Sequence, residues 1–149
     1  MKYIVRLQSE ILNDVRQAAS EEEKISLLRK NKSETLLNIF NYTYGEYETP
    51  YSKGVPKYKP DDSPYGYSYT TLHKEVSRLL YFYKSDIFME NDKLRDKKLK
   101  NILEVLHFSE AALLENVFKH NLDCYGITKE LVVAAYPELQ KMWSIPNGQ

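Results

Sequence analysis

Apolar residues recur along most of this chain at the spacing of amphipathic helices. The first such stretch predicts a helix over about residues 3–18. Two more helices are predicted over SEEEKISLLRKN and SETLLNIFNYTY, because Ser20 and Ser33 stand where N-caps are expected. Three helices are therefore expected before residue 45.

Helical spacing returns after residue 70 in TTLHKEVSRLLYFYKS, DKLRDKKLKNILEVLHF, SEAALLENVFKHN and the short TKELVVAAY. Ser109 is the expected N-cap of the third of these helices. The last helix is predicted to end before Pro137, which leaves a tail over about 138–149. No strand pattern of comparable length competes, so the predicted fold is all-α, a single domain of about seven helices spanning residues 1–149.

The third and fourth predicted helices are separated by a long loop over about 45–69. The surrounding sequence, NYTYGEYETPYSKGVPKYKPDDSPYGYSYT, holds eight tyrosines, and the prolines at 50, 56, 60 and 64 exclude a continuous helix. Tyrosines interleaved with lysines are typical of platforms that stack nucleic-acid bases. Tyrosines also dock irregular loops onto helices, with the ring buried and the hydroxyl in water. The pattern leaves both interpretations open.

Composition and charge restrict the class of protein. The chain has 149 residues, 42% hydrophobic and 28% charged, which is globular composition, and its formal net charge is zero. A neutral chain is a poor general nucleic-acid coat, although one basic face remains compatible with it. A single cysteine, Cys124, excludes an intramolecular disulfide, and no apolar run reaches the roughly 20 residues of a membrane span. A cytoplasmic protein with no membrane partner is expected.

Catalytic and metal-binding patterns are missing from the sequence. His73, His107 and His120 are far apart and lack partners at ligand spacing, so no metal site is predicted. The chain has no glycine-rich phosphate loop and no nucleophile motif. We therefore expect no enzymatic activity, no cofactor and no small-molecule substrate.

The residues DKLRDKKLK, 92–100, form the most basic run of the chain. Such a run on a helix either contacts phosphates or forms a solvated helix face. Composition alone favours the solvated face.

Several stretches together resemble a known family. EEKISLLRKNKSETLLNIFNYTYGEY and YSKGVPKYKP resemble the start of the DNA ligases of T-even-type tailed bacteriophages. DKLRDKKLKNILEVLHFSEAALLENVFKHNLDCYGITKELVVAAYP resembles the end of the N-terminal domain of those ligases, with Cys124 and Gly126 in its leucine-acid-cysteine-glycine element. Tyr125 is an insertion in that element, and His120 stands where the ligases tend to have arginine. The adenylate-accepting Lys-x-Asp-Gly motif of the ligases is absent.

The resemblance implies a stand-alone, non-catalytic relative of the ligase DNA-binding domain, in which the tyrosine-rich loop joins helices 3 and 4. Such a protein would contact the phosphates and the minor groove of duplex or nicked DNA, or attach to the phage replication machinery in the cytoplasm of the host cell. The candidate DNA contacts are Lys30, Lys32, Lys53, Lys57, Lys59, Lys93, Arg95, Lys97, Lys98, Lys100, Lys119, His120, Gly126, Thr128 and Lys129.

Two other functions are compatible with the same residues. One is a protein-interaction module that kept the fold and lost DNA binding, with a sliding clamp, a host polymerase or a host defence protein as its partner. The other is the DNA-binding part of a split ligase whose nucleotidyltransferase is separately encoded.

Overall fold

The structure is a computed structural model that describes residues 7–45, 47, 49–64, 68, 70–83 and 92–144. Its described part is all-α, as predicted, with one isolated bridge between Asp61 and His107 and no strand. The helices are α1 (Gln8–Gln17), α2 (Glu21–Lys30), α3 (Glu34–Tyr44), α4 (Leu72–Glu75), α5 (Asp92–Val105), α6 (Phe108–Phe118), α7 (Lys129–Ala135) and α8 (Pro137–Ser144). Two 3-10 turns, Val76–Phe82 and Asp123–Tyr125, complete the described elements.

Side-chain caps define several helix starts where the sequence predicts them. Ser20 and Ser33 accept the backbone N–H groups of Glu23 and Leu36, three residues further on. The cap expected at Ser109 is wrong by two residues: His107 is the N-cap of α6, and its Nδ1 accepts the Ser109 N–H at 3.1 Å. The polar side chain nearest the helix start is therefore a histidine, which the serine preference does not anticipate.

The segment after α7 also differs from the prediction. α8 begins directly at Pro137, so most of the residues expected as a tail are helical, with Leu139 buried. Proline is favoured in the first turn of a helix because its missing N–H would have no helical partner there. Pro137 thus starts a helix as well as following the end of one.

The helix predicted after residue 70 is short in the described part. Thr71 caps α4, which lasts four residues and continues as the 3-10 turn Val76–Phe82. The rest of that predicted helix, and residues 3–6 of the first one, lie outside the described residues.

The helices pack in a chain of neighbours around one core. α5 packs on α6, α6 on both α1 and α3, α1 on α2, α2 on α7, and α7 on α8. Their inward sides form one cluster, which includes Leu12, Leu28, Ile39, Phe40, Leu72, Leu99, Leu103, Leu114, Phe118 and Val132. Tyr125 is buried in this core. Among the described helices, none has the length and apolar character needed to cross a membrane.

A buried carboxylate joins three helices. Glu110 on α6 has no exposed surface, and its two oxygens accept the backbone N–H groups of Gln8 at 3.0 Å and Leu72 at 2.9 Å. Those N–H groups belong to the first residues of α1 and α4, where the helix itself supplies no acceptor. Burial raises the pKa of Glu110, while the two hydrogen bonds lower it. Glu110 therefore fixes the starts of α1 and α4 against α6.

Several tyrosines of the tyrosine-rich stretch, residues 41–70, pack on the helical body. Tyr51 is only 4% exposed, and its ring packs against Phe118 with centroids 5.5 Å apart. Tyr42 stacks on Tyr83 at 4.8 Å, and Tyr47, at 37% exposure, meets both rings edge-on. The docked-loop interpretation holds for these tyrosines, whereas residues 65–67 and 69 lie outside the described residues.

Candidate nucleic-acid interface

Three lysines form a stripe along α5. Lys93, Lys97 and Lys100 are all exposed, and their i, i+4, i+7 spacing places them on one flank of the helix. They extend over about 10 Å of helix axis at 1.5 Å per residue. That length matches roughly three phosphates of one DNA strand at a rise of 3.4 Å each.

Lys98 belongs to the opposite flank of the same helix. It lies about 100° to one side of the buried Leu99, whereas Lys100 lies about 100° to the other. Lys97 is on the Lys100 side. The cations of this run therefore do not all face the same way, because consecutive residues of a helix point in different directions.

Arg95 is a further correction to the predicted contacts. It is 7% exposed, and its Nε donates to Tyr51 Oη at 2.9 Å. Its Nη2 pairs with Asp92 at 3.0 Å, and the guanidinium lies 5.4 Å from the centroid of the Tyr51 ring. Arg95 holds the loop to α5 from the buried side, so it is not available to a phosphate.

Carboxylates on the lysine flank of α5 anchor the tyrosine-rich loop. Tyr51 Oη donates to Asp96 Oδ1 at 2.6 Å, and the Lys59 N–H donates to Glu104 Oε2 at 2.8 Å. Because Asp96 and Glu104 share the flank of the stripe, these bonds bring the loop beside it. Lys53, Lys57 and Lys59 are exposed in the loop segment that these bonds attach to α5.

A third bond extends this surface to α6. Tyr58 Oη donates to Glu115 Oε2 at 2.5 Å, and the exposed Lys119 lies one helical turn beyond Glu115 on the same side. Burial and the bond to Glu115 raise the pKa of Tyr58, so its hydroxyl stays protonated as the donor. We use the name basic surface for seven exposed lysines of the loop, of the stripe on α5 and of the end of α6: Lys53, Lys57, Lys59, Lys93, Lys97, Lys100 and Lys119.

The structure places the other predicted contacts elsewhere. Lys30 is exposed at the end of α2, the helix that packs on α1 and α7. Lys32 pairs with Glu138 at the start of α8 and lies 5.9 Å from the centroid of the Tyr136 ring. These two lysines are therefore separate from the basic surface.

The candidate DNA contacts in the turn, Gly126, Thr128 and Lys129, contact other residues of the protein. Gly126 has φ +68°, and a Cβ built there would lie 2.8 Å from Lys24 Nζ, which donates to the Gly126 carbonyl at 2.9 Å. The space that the absence of a side chain leaves at Gly126 is thus occupied by the Lys24 ammonium group. Thr128 caps α7 by accepting the Leu131 N–H at 3.2 Å, and Lys129 Nζ lies 5.5 Å from the centroid of the Trp143 ring.

His120 joins the ends of α6 and α3. It adopts a positive φ of 58° after α6, and its Nδ1 lies 2.9 Å from the Thr43 carbonyl oxygen. A carbonyl only accepts, so Nδ1 is the donor. His120 is the residue after Lys119 in the sequence, and its ring is half-buried. The contact that the structure shows for this ring is the hydrogen bond to Thr43.

The carboxylates and tyrosines that assemble the surface were not predicted from the sequence. No sequence motif marks these residues, which are Asp96, Glu104, Glu115 and Tyr58. Each hydrogen bond joins residues that are 45 to 57 positions apart in the sequence. Within the described ranges, no three His, Cys, Asp or Glu side chains converge as metal ligands.

The described part of the chain is a small all-α fold with exposed lysines on the loop, on α5 and at the end of α6. Residues 11–124 match a family of unknown function (DUF6433), and the chain belongs to this family. No curated protein and no solved structure matches the chain.

Proposed function

We propose that this chain is a non-catalytic accessory protein that binds the phosphate backbone of duplex or nicked DNA through the basic surface. The observation that carries the proposal is the attachment of a loop with three exposed lysines to α5 and α6, two helices with exposed lysines of their own. The resemblance to the DNA-binding domain of T-even-type phage ligases supports the same function and a place in phage DNA replication or repair.

The side chains of the basic surface favour phosphates over bases. Lysine ammonium groups bind phosphate oxygens as point charges and carry no base code. Tyr42 and Tyr51 are buried, so their rings are not offered to bases. Binding is therefore expected to be independent of sequence and to weaken with salt as counterions return to the DNA.

The test is a binding titration with intact duplex, nicked duplex and single-stranded DNA over a series of salt concentrations. Five to seven phosphate contacts imply a slope of log affinity against log salt of roughly −4 to −6 on duplex. Raising the salt from 50 to 200 mM should then cost about 10³-fold in affinity at a slope of −5. Duplexes of unrelated sequence should bind alike.

A protein-interaction module is the second candidate function. Leu94 and Phe108 are 44% and 49% exposed, and large exposed apolar side chains are common at protein interfaces. A sliding clamp, a polymerase or a host defence protein would be the kind of partner. This function predicts no duplex binding even at 50 mM salt, and that result would contradict the DNA proposal.

A further inference from the structure

The loop that supplies three lysines to the basic surface is held by hydrogen bonds to carboxylates. Tyr51 binds Asp96, Tyr58 binds Glu115, and the Lys59 N–H binds Glu104. Each bond joins a donor in the loop to an acid on α5 or α6. Bonds of this kind, with an ionised acceptor, are stronger than neutral ones.

Other hydrogen bonds tie Thr49 to the Phe82 carbonyl and the Asp61 carbonyl to the Phe108 N–H, and between them the loop is long enough to leave α5 without the carboxylate bonds. The eight residue steps from Tyr51 to Lys59 would span up to about 26 Å if extended. Asp96 and Glu104, their partners, are about 12 Å apart along the axis of α5. Chain connectivity alone therefore does not hold the loop lysines beside Lys93, Lys97 and Lys100.

We infer that Tyr51 and Tyr58 are positioning residues for DNA binding, whose hydroxyls fix the loop lysines beside the α5 stripe. This inference rests on the proposed function. Neither hydroxyl needs to contact DNA. They act by keeping the lysines at a fixed separation, so that less conformational entropy is lost when phosphates bind.

Tyr58 offers the cleaner test of the two. Tyr51 is buried and also accepts from Arg95, so its replacement would disturb the core of the loop. Tyr58 is half-buried, and Tyr58→Phe removes only the hydroxyl that binds Glu115. Tyr44→Phe is the matched control, because Tyr44 is also half-buried and its hydroxyl donates to the Ile127 carbonyl, not to a carboxylate of α5 or α6.

Duplex binding should be compared among wild type, Tyr58→Phe, Lys53→Gln/Lys57→Gln/Lys59→Gln and their combination. We expect Tyr58→Phe to lower affinity about 5- to 50-fold at 0.1 M salt, with a shallower salt slope, as one or two phosphate contacts are lost. The lysine replacements should then cost much less in the Tyr58→Phe background than in wild type. Wild-type affinity of Tyr58→Phe, or strictly additive losses, would overturn the inference.

Limited trypsin digestion provides a readout that does not depend on DNA. Trypsin cuts after lysine, and a released loop should be cut at Lys53 and Lys57 several-fold faster in Tyr58→Phe than in wild type or Tyr44→Phe. Equal cleavage rates would overturn the positioning role even if DNA affinity fell. Faster cleavage together with no duplex binding by wild type would instead contradict the proposed function and leave the loop attachment intact.

Discussion

Replacing Glu110 by alanine should lower the free energy of unfolding by roughly 2 to 6 kcal/mol, since each buried N–H that loses its acceptor costs about 1–3 kcal/mol. The two N–H groups, of Gln8 and Leu72, start α1 and α4. A loss of this size corresponds to a fall in melting temperature of about 5–15 °C for a domain of this length.

Thermal or urea unfolding followed by circular dichroism measures this effect, and Glu34→Ala serves as the control. Glu34 is an exposed first-turn acid of α3, so its removal should cost at most about 1 kcal/mol. Equal stability losses in the two variants would contradict the bridging role of Glu110.

The same carboxyl predicts a particular dependence of stability on pH. Because burial raises the pKa of Glu110 above its ordinary value of 4.5, the folded state holds this proton more tightly than the unfolded state. The stabilisation from protonation is complete below pH 4.5 and is lost as pH rises through the folded pKa. The unfolding free energy of wild type relative to Glu110→Gln should therefore fall over that interval.

Replacing Lys93, Lys97 and Lys100 together by glutamine should weaken duplex binding by about 10²- to 10³-fold at 0.1 M salt, if all three contact phosphates. These exposed lysines make one continuous stripe, so their loss should remove contacts without unfolding α5. Fluorescence anisotropy with a labelled duplex measures the affinity, and circular dichroism checks the helix content.

A second triple variant provides the control for net charge. Lys30, Lys98 and Lys141 are exposed on α2, on the other flank of α5 and on α8. Their replacement by glutamine changes the net charge by the same amount, yet should lower affinity less than tenfold. Similar losses in both triple variants would mean that overall charge, and not the stripe, governs binding.

Local patterns predicted most of the helices because caps and apolar spacing act within a few residues. Ser20 and Ser33 each cap a helix where the sequence places them. The predicted helix boundaries are wrong where a residue type can play more than one role at a helix end, or where an uncommon residue type is the cap. Pro137 ends one helix and starts another, and a histidine replaces the expected serine as the cap of α6.

The arrangement of the basic surface depends on contacts that no local pattern contains. Lys97 and Lys98 are the same residue type at adjacent positions. Only the location of the buried face of α5 shows that they lie on different flanks of the helix. In the sequence, Arg95 is one more cation of the basic run. The structure shows that it is buried and bonded to Tyr51, which lies 44 residues earlier. Long-range pairs of this kind decide which charges remain exposed, so the sequence predicts the number of cations but not their distribution.

The central claim is that the basic surface contacts DNA phosphates. A comparison of two adjacent lysines of α5, one inside this surface and one outside it, tests the claim most directly. The salt dependence of duplex binding should be compared for wild type, Lys97→Gln and Lys98→Gln. Each phosphate contact contributes about 0.9 to the slope of log affinity against log salt. We expect Lys97→Gln to make the slope shallower by about 1, with Lys98→Gln unchanged from wild type. Equal slopes for the two variants, or a change only in Lys98→Gln, would contradict a DNA-binding role for this surface.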